Sequence, residues 1–593
     1  MNKLLVFTLI FLGSCGSLKK LPQLFKKEKK VEKRVRVEIP SGPSLKGEGS
    51  YFEDITDKVG LSGQTATHLY AIDFDLDGYT DLVTLPLFYS APKFFIYIPE
   101  TKRYKELDYN PFDMVVRASY LSFFDINRDG ILDLIAGTLN LKSSLPKEAL
   151  KVFIGYKKDG RIHYKRVRSK KRLTPKPTSA ISLIDVNLDG HIDVYEGNWL
   201  DYTKKTPKVT PDRLFMGNKD LDYKDMSHLL MGEGRYSKAL GAYVNAKPTF
   251  STTTCDIDQN GFPDILTSSS GGHDNKMWLN LYDNKIKGRI FKDYAKAAGY
   301  DRDDFGHLES RGGGNSLFAL CTDYNNDGVM DILTGEISHS YDSENRDKSS
   351  FLTGSKRTFP PKFLRSEYVE DDGKEVWTHS DRRAVFSDFN NDGLIDILVE
   401  NTGHPPYTRL IFFEQSPDNG FEDFAKDTKI DILNPAGIIT LDIDRDGNMD
   451  FITGQSNIRK SSIKSRIYVY RNKSVREGRR SIRIFLEGNK ANVHGWGSMI
   501  EVQTKNFNQK RWVEYLTGPQ PSQSEDGVHF GLDLNNPLEK VIVTWPILEK
   551  RQIPLKRVYN LSKLKFSEHQ NITLCEDGRY LLGRKSCKYL KIH

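Results

Sequence analysis

The feature that most constrains this chain is a nine-residue pattern, Asp-x-(Asp/Asn)-x-(Asp/Asn)-Gly-x-x-Asp, which occurs seven times. The copies are Asp73-Asp75-Asp77-Gly78-Asp81, Asp125-Asn127-Asp129-Gly130-Asp133, Asp185-Asn187-Asp189-Gly190-Asp193, Asp256-Asp258-Asn260-Gly261-Asp264, Asp323-Asn325-Asp327-Gly328-Asp331, Asp388-Asn390-Asp392-Gly393-Asp396 and Asp442-Asp444-Asp446-Gly447-Asp450. Successive first residues are 52, 60, 71, 67, 65 and 54 positions apart. That interval is too long for a solenoid coil and suits a four-stranded unit with loops of variable length.

Short apolar runs flank the copies, such as Leu121-Ser122-Phe123-Phe124 before the second and Ile131-Leu132-Asp133-Leu134-Ile135 after it. Their length and composition predict strands, so each copy is expected to be the turn of a hairpin. A second repeat follows: an apolar strand such as Phe94–Ile98, Arg213–Met216 or Leu410–Phe413, then an aromatic-x-acid element. Tyr104-Lys105-Glu106, Tyr223-Lys224-Asp225, Phe291-Lys292-Asp293 and Phe421-Glu422-Asp423 are its instances. Four strands per unit make one blade, and the predicted fold class is all-β: a seven-bladed β-propeller followed by a small β-sandwich-like domain. The last repeat lacks the aromatic-x-acid element after Ile467–Tyr470, while an unclaimed copy, Phe52-Glu53-Asp54, stands at the start of the body. The strand near residues 51–56 is therefore predicted to complete the seventh sheet.

The pattern also carries a chemistry. Oxygens at positions 1, 3 and 5 of a tight loop converge on one point, Gly at position 6 permits the reversal, and Asp at position 9 closes the shell. The carbonyl of position 7 is expected to turn inward, which adds Tyr79, Ile131, His191, Phe262, Val329, Leu394 and Asn448 to the candidate ligands. An oxygen-only environment suits calcium, and up to seven ions are expected. The spacing is that of the first half of an EF-hand loop, without its glutamate at position 12; in the second copy Ala136 stands there.

These residues resemble the FG-GAP/VCBS repeats of integrin α-chain heads and bacterial surface proteins, over roughly residues 50 to 475. The resemblance implies a propeller with metal loops. Further on, Asn492-Val493-His494-Gly495-Trp496-Gly497-Ser498, Ser522-Gln523-Ser524, His529-Phe530-Gly531-Leu532 and Val543-Thr544-Trp545-Pro546 resemble the ASPIC/UnbV domain found after such propellers in relatives of cartilage acidic protein. Segments Ile482–Leu486, Met499–Val502, Trp512–Tyr515 and Val541–Trp545 alternate as strands of a small sandwich should.

The N-terminal end sets the expected location. Lys3 and the apolar run Leu4–Leu12 make a signal peptide too short to span a bilayer, ending in Leu12-Gly13-Ser14-Cys15. This resembles a bacterial lipobox and implies lipidation of Cys15. Residues 1–49 hold eleven Lys/Arg against four Glu, a net +7, so of the total +8 only +1 remains for the other 544 residues. That distribution argues against a nucleic-acid partner for the folded part. The expected organisation is a signal peptide at 1–14, a lipidated cysteine and disordered basic tether at 15–49, the propeller at 50–478, the ASPIC/UnbV-like domain at 479–570 and a tail at 571–593. The expected location is the cell envelope, with the outer membrane favoured. Cys575 and Cys587 could pair in an oxidising compartment; nothing in the sequence brings Cys255 to Cys321.

No Gly-x-Ser-x-Gly elbow or His-Glu-x-x-His motif stands in a supporting context, and the clustered carboxylates are committed to the loops. The leading expectation is a non-catalytic module that binds a protein or glycan. The alternative, an extracytoplasmic enzyme or metal-dependent ligand site, rests on His273, His307, His339, His379 and His404, which strand directions place on the face opposite the loops.

Overall fold

The computed structural model describes residues 51–587 except 139–149, 168–173, 202–207, 220–221, 240, 303–313, 338–348, 356–357, 368–379, 403–407, 418–419, 424–427, 429, 459, 475–477, 515–521, 549–553 and 565–568. The chain is all-β, with helix confined to short turns such as Ala295–Ala298 among the described residues. Its strands form many small, open, mostly antiparallel sheets. Each copy of the nine-residue pattern joins the first and second strands of a four-stranded meander. In the first repeat the strands are His68–Ile72, Asp81–Leu85, Lys93–Ile98 and Arg103–Glu106, and repeats two to six follow the same order.

Burial falls across each sheet and explains the sequence pattern. In the second repeat Tyr120–Phe124 and Asp133–Gly137 are buried throughout, so both faces of the first two strands are apolar or small. Fourth strands are more exposed than the first two, but the aromatic residue in or just before them is buried in each instance of the element: Tyr104, Tyr223, Phe291 and Phe421. The aromatic pins an otherwise polar edge strand to the core, which is why the aromatic-x-acid element is visible in the sequence. First strands of neighbouring repeats touch in succession from Thr178–Ile184 through Thr249–Cys255, Ser316–Thr322, Asp381–Ser387 and Pro435–Leu441 to His68–Ile72. The last and first repeats share one core, in which Ile439, Leu441 and Val469 meet Leu69, Ala71 and Phe95.

The seventh sheet is completed from the other end of the chain. Phe52–Asp54 pairs antiparallel with Arg466–Asn472, Phe52 opposite Asn472 and Asp54 opposite Tyr470, as the missing aromatic-x-acid element predicts. Phe52 is buried among Phe389, Phe412 and Phe451, with ring centroids 5.2–5.8 Å away. Phe52→Ala is expected to destabilise the protein by ~3–5 kcal/mol in chemical denaturation, the cost of emptying a large aromatic site. Lys58→Ala, which removes one of the two exposed lysines paired with Glu53 and leaves Lys473 in place, is expected to cost less than about 1 kcal/mol.

The C-terminal region builds two four-stranded sheets around one core. One sheet orders Val528–Asp533, Arg479–Glu487, Gln570–Cys575 and Tyr580–Leu582; the other orders Asn508–Trp512, Met499–Thr504, Leu538–Leu548 and Pro554–Asn560. Ile484, Phe530 and Ile572 of the first meet Ile500, Val543 and Trp545 of the second. Because Gln570–Cys575 lies parallel to Arg479–Glu487, the expected boundary at 570 falls at the start of a strand of this domain, and Cys575 is tied to Cys587 by a disulfide. The strand expected at Trp512–Tyr515 instead runs from Asn508 to Trp512. There Gln509 and Arg511 point inward, bonding the carbonyls of Gly531 and Gly393 at 2.7 and 2.9 Å, so inward positions are polar and hydrophobic alternation misplaces the strand.

Candidate metal loops

All seven loops share one backbone. The residue at position 4 is left-handed in every copy: Leu76, Arg128, Leu188, Gln259, Asn326, Asn391 and Arg445 have φ between 54° and 66°. The glycines at position 6 follow with φ between 84° and 93°. A left-handed non-glycine residue costs ~1–2 kcal/mol, and the residue type at position 4 varies freely, so the fixed positions impose the conformation. Those positions are tied to the backbone by the same bonds each time. The amide of Gly at position 6 donates to Asp at position 1, at 2.8–3.1 Å. The amide of position 7 donates to the side chain of position 5, at 2.7–2.9 Å.

Asp at position 9 does the most. Its Oδ2 accepts from the amide of position 2 at 2.8–3.2 Å, bracing the start of the loop. Its Oδ1 accepts from an amide in or just past the third strand of the same sheet at 2.7–3.0 Å, from Tyr97, Gly155, Gly217, Asn280, Gly354, Gln415 and Asn472 in turn. This one carboxylate links the loop to the sheet. The pattern keeps Asp there in all seven copies while positions 3 and 5 accept Asn.

The donor set fits a hard divalent cation. In the first, fourth and seventh loops one oxygen from each Asp at positions 1, 3 and 9 lies within 4.8 Å of the others. Asp73 Oδ1, Asp442 Oδ1 and Asp444 Oδ1 are buried without a hydrogen-bond partner among the described residues. Burial, joined by the repulsion of neighbouring carboxylates, pushes Asp81, Asp185 and Asp331 up to about 8 and Asp133 and Asp442 to about 7. A bound divalent cation reverses that preference by stabilising the ionised form. In the second, third, fifth and sixth loops position 3 is Asn, a neutral oxygen donor.

Position 4 also connects neighbouring loops. Arg128 donates to the Gly190 carbonyl at 3.1 Å, Gln259 to the Gly328 carbonyl at 2.9 Å and Asn391 to Asn448 at 2.8 Å. Arg445 of the seventh loop donates to the Gly78 carbonyl of the first and stacks on Tyr79 at 3.5 Å. The left-handed turn thus aims the side chain of one loop at the next.

The C-terminal domain lies on this loop face. Arg584 approaches Asp73 at 3.6 Å, the Asp125 amide donates to His494 Nε2 at 3.2 Å, and the Gly531 amide donates to Asp388 at 3.0 Å. His569 lies 3.8 Å from Asp442, and Lys490, Pro554 and Lys510 stand against Gly190, Gly261 and Gly328. A cavity of about 290 Å³ remains between the first strands and the domain, lined among others by Ala71, Phe123, Phe318, Arg383, Trp496 and Asp526. None of this docking is visible in the sequence.

Residues 488–571 match the family model described as ASPIC and UnbV. The ASPIC/UnbV domain is thus the part of the chain with a recognised family. No curated protein sequence matches the chain. Among solved structures, a Photorhabdus luminescens Tc holotoxin pore aligns at 11% identity over 83% of this chain and 25% of its own, with a TM-score of 0.30. The rhamnogalacturonan lyase YesW aligns at 12% identity over 70% of this chain and 91% of its own, with a TM-score of 0.28. Scores this low do not bear on fold or function.

Two groups of expected site residues fall wholly or mostly outside the described residues. Cys15 lies outside the described residues, as do His307, His339, His379 and His404; His273 is half-buried. A disulfide joining Cys255 to Cys321 is an addition to the sequence reading. Cys255 stands one residue and Cys321 two residues before the first Asp of its loop, near the ends of adjacent first strands, so it is the packing of those strands and not a shared sequence offset that brings them together.

Proposed function

We propose that this chain is a calcium-stabilised seven-bladed β-propeller held at the cell envelope by a lipid on Cys15, and that it binds a protein or glycan without catalysing a reaction. The observation that carries the calcium reading is the sevenfold identity of the loop: the same left-handed turn, with the same bonds to Asp at positions 1 and 9, built on different residues. Closure into a ring is supported by the pairing of Phe52–Asp54 with the last repeat, the core shared by repeats seven and one, and the link from Arg445 to the first loop.

With the loop face occupied by the ASPIC/UnbV domain, the strand ends opposite are the surface assigned to the partner. Ion pairs are buried at that end, Glu196 with Arg213 and Glu233 with Lys276, each charge neutralised by its partner within the fold. The test is a screen of the purified protein against glycans and envelope proteins, in calcium and in chelator. Specific capture that requires calcium supports the reading, and turnover of a substrate would replace it with the enzymatic alternative.

The anchor has its own check. Cys15→Ser is expected to abolish acyl labelling and move the protein from the membrane to the soluble fraction. Retained label and unchanged membrane partition would refute the lipobox assignment.

A further inference from the structure

Each element by which the C-terminal domain resembles its family, except Val543–Pro546, lies against a metal loop or the strand that leads into one. In the segment Asn492–Ser498, His494 takes the amide of Asp125, position 1 of the second loop, at 3.2 Å, and Trp496 packs on Phe124 at 5.7 Å. Arg128, position 4 of that loop, donates to the carbonyls of Asn489 at 2.9 Å and Lys490 at 3.3 Å.

Ser522–Ser524 enters between the first strands of repeats one, two and seven. The Gln523 amide donates to the Leu69 carbonyl at 2.9 Å and its carbonyl accepts from Ala71 at 2.8 Å, forming a bridge parallel to Tyr70. Its side chain accepts from the Phe123 amide at 3.2 Å. Ser524 accepts from the Thr440 amide at 3.1 Å, and Glu525 accepts from the Asp442 amide at 2.9 Å and the Thr80 hydroxyl at 2.6 Å. These three repeats include the pair where the two ends of the repeat series meet. At the third element, Gly531 donates to Asp388, position 1 of the sixth loop, and a Cβ there would sit 2.2 Å from that carboxylate oxygen.

We infer that the ASPIC/UnbV domain is a cap that recognises the loaded metal loops of its own chain, so that its docking and calcium binding at the second, sixth and seventh loops strengthen one another. The inference rests on the calcium reading above. At those three loops Asp125, Asp388 and Asp442 each serve both sides: a candidate metal ligand whose amide or second oxygen is bonded by the cap. Filling the loop orders the group that the cap binds, and the cap orders the ligand that the ion binds. By linkage, whatever factor the cap contributes to calcium affinity, calcium returns to docking.

Hydrogen exchange on the intact protein, read by mass spectrometry below the melting temperature of the chelated form, tests this. Chelation is expected to speed exchange at least tenfold at the interface amides of Ala71, Phe123, Thr440, Asp442 and Gly531, while strand amides inside the cap, such as those of Ile500 and Val541, keep their protection. A metal-free protein whose interface amides exchange as slowly as the loaded one would overturn the inference while leaving calcium binding intact. If metal analysis finds that no calcium binds at all, the calcium reading falls and takes the inference with it. The reciprocal arm uses Gly531→Ala, which is expected to weaken calcium at least tenfold at a minority of the sites and leave the rest unchanged. Should that variant not fold, Gln523→Ala provides the same readout. Unaltered calcium isotherms in the folded variant would refute the coupling.

Discussion

Excess chelator is expected to lower the melting temperature by about ten degrees or more, with calcium restoring it and magnesium at equal concentration largely failing. Each loop gathers three or four carboxylates in or near the protein interior, and burial already drives several of them toward the protonated form. Extracellular calcium modules bind at ~10⁻⁴ to 10⁻³ M, and ten times that concentration of free ion adds about 1.4 kcal/mol per site. Seven independent sites then contribute ~10 kcal/mol, comparable with the ~5–15 kcal/mol that stabilises an ordinary domain. At ~2.1 cal/mol/K per residue, a folded body of roughly 540 residues unfolds with an entropy near 1.1 kcal/mol/K, which turns that sum into a shift of ~9 °C. Higher calcium enlarges it, since the term grows with the logarithm of concentration. Links between adjacent loops, such as Arg128 to Gly190 and Gln259 to Gly328, are expected to couple neighbouring sites, so that the sum over independent sites is an approximation. Magnesium is expected to fail because it demands near-octahedral geometry and gives up its water reluctantly. An unchanged melting curve in a protein shown to be metal-free would make the loops ordinary turns.

The second large effect separates positions within one loop. Asp264→Asn is expected to destabilise the protein far more than Asp258→Asn, even in saturating calcium. Asp264 is fully buried and accepts from the amides of Ile257 at 3.0 Å and Asn280 at 2.7 Å. An amide in its place turns a donor toward one of those donors, leaving a buried N–H unsatisfied at ~1–3 kcal/mol, and it removes a carboxylate from the site as well. Asp258 occupies position 3, where four of the seven loops already carry Asn. Its replacement is expected to lower calcium affinity at one site and to change the melting temperature in calcium by only a degree or two. Equal losses in the two variants would contradict the role assigned to position 9.

How much of this was legible in the sequence follows from the range of the interactions. The loops, their flanking strands and the pairing of Phe52–Asp54 with the seventh repeat depend on local pattern and on counting repeats, and the sequence displays both. The Cys255–Cys321 disulfide was hidden, because the two cysteines stand at different offsets from their loops and only the packing of adjacent first strands joins them. Strand Asn508–Trp512 was hidden because its inward residues, Gln509 and Arg511, are polar and satisfied by carbonyls of two distant glycines. Docking of the cap was also hidden. Its contacts are scattered hydrogen bonds, glycines and single packing pairs such as Trp496 with Phe124, between segments up to about 450 residues apart, as Leu69 with Ser522, and they leave no periodicity in the chain.

The most direct test of the account is calcium stoichiometry. The protein is stripped with chelator, dialysed and titrated with calcium by calorimetry, and the bound metal is counted independently by elemental analysis of the saturated sample. The account predicts seven ions per chain, reduced to six by Asp388→Ala. A folded, stable protein that binds none would contradict it.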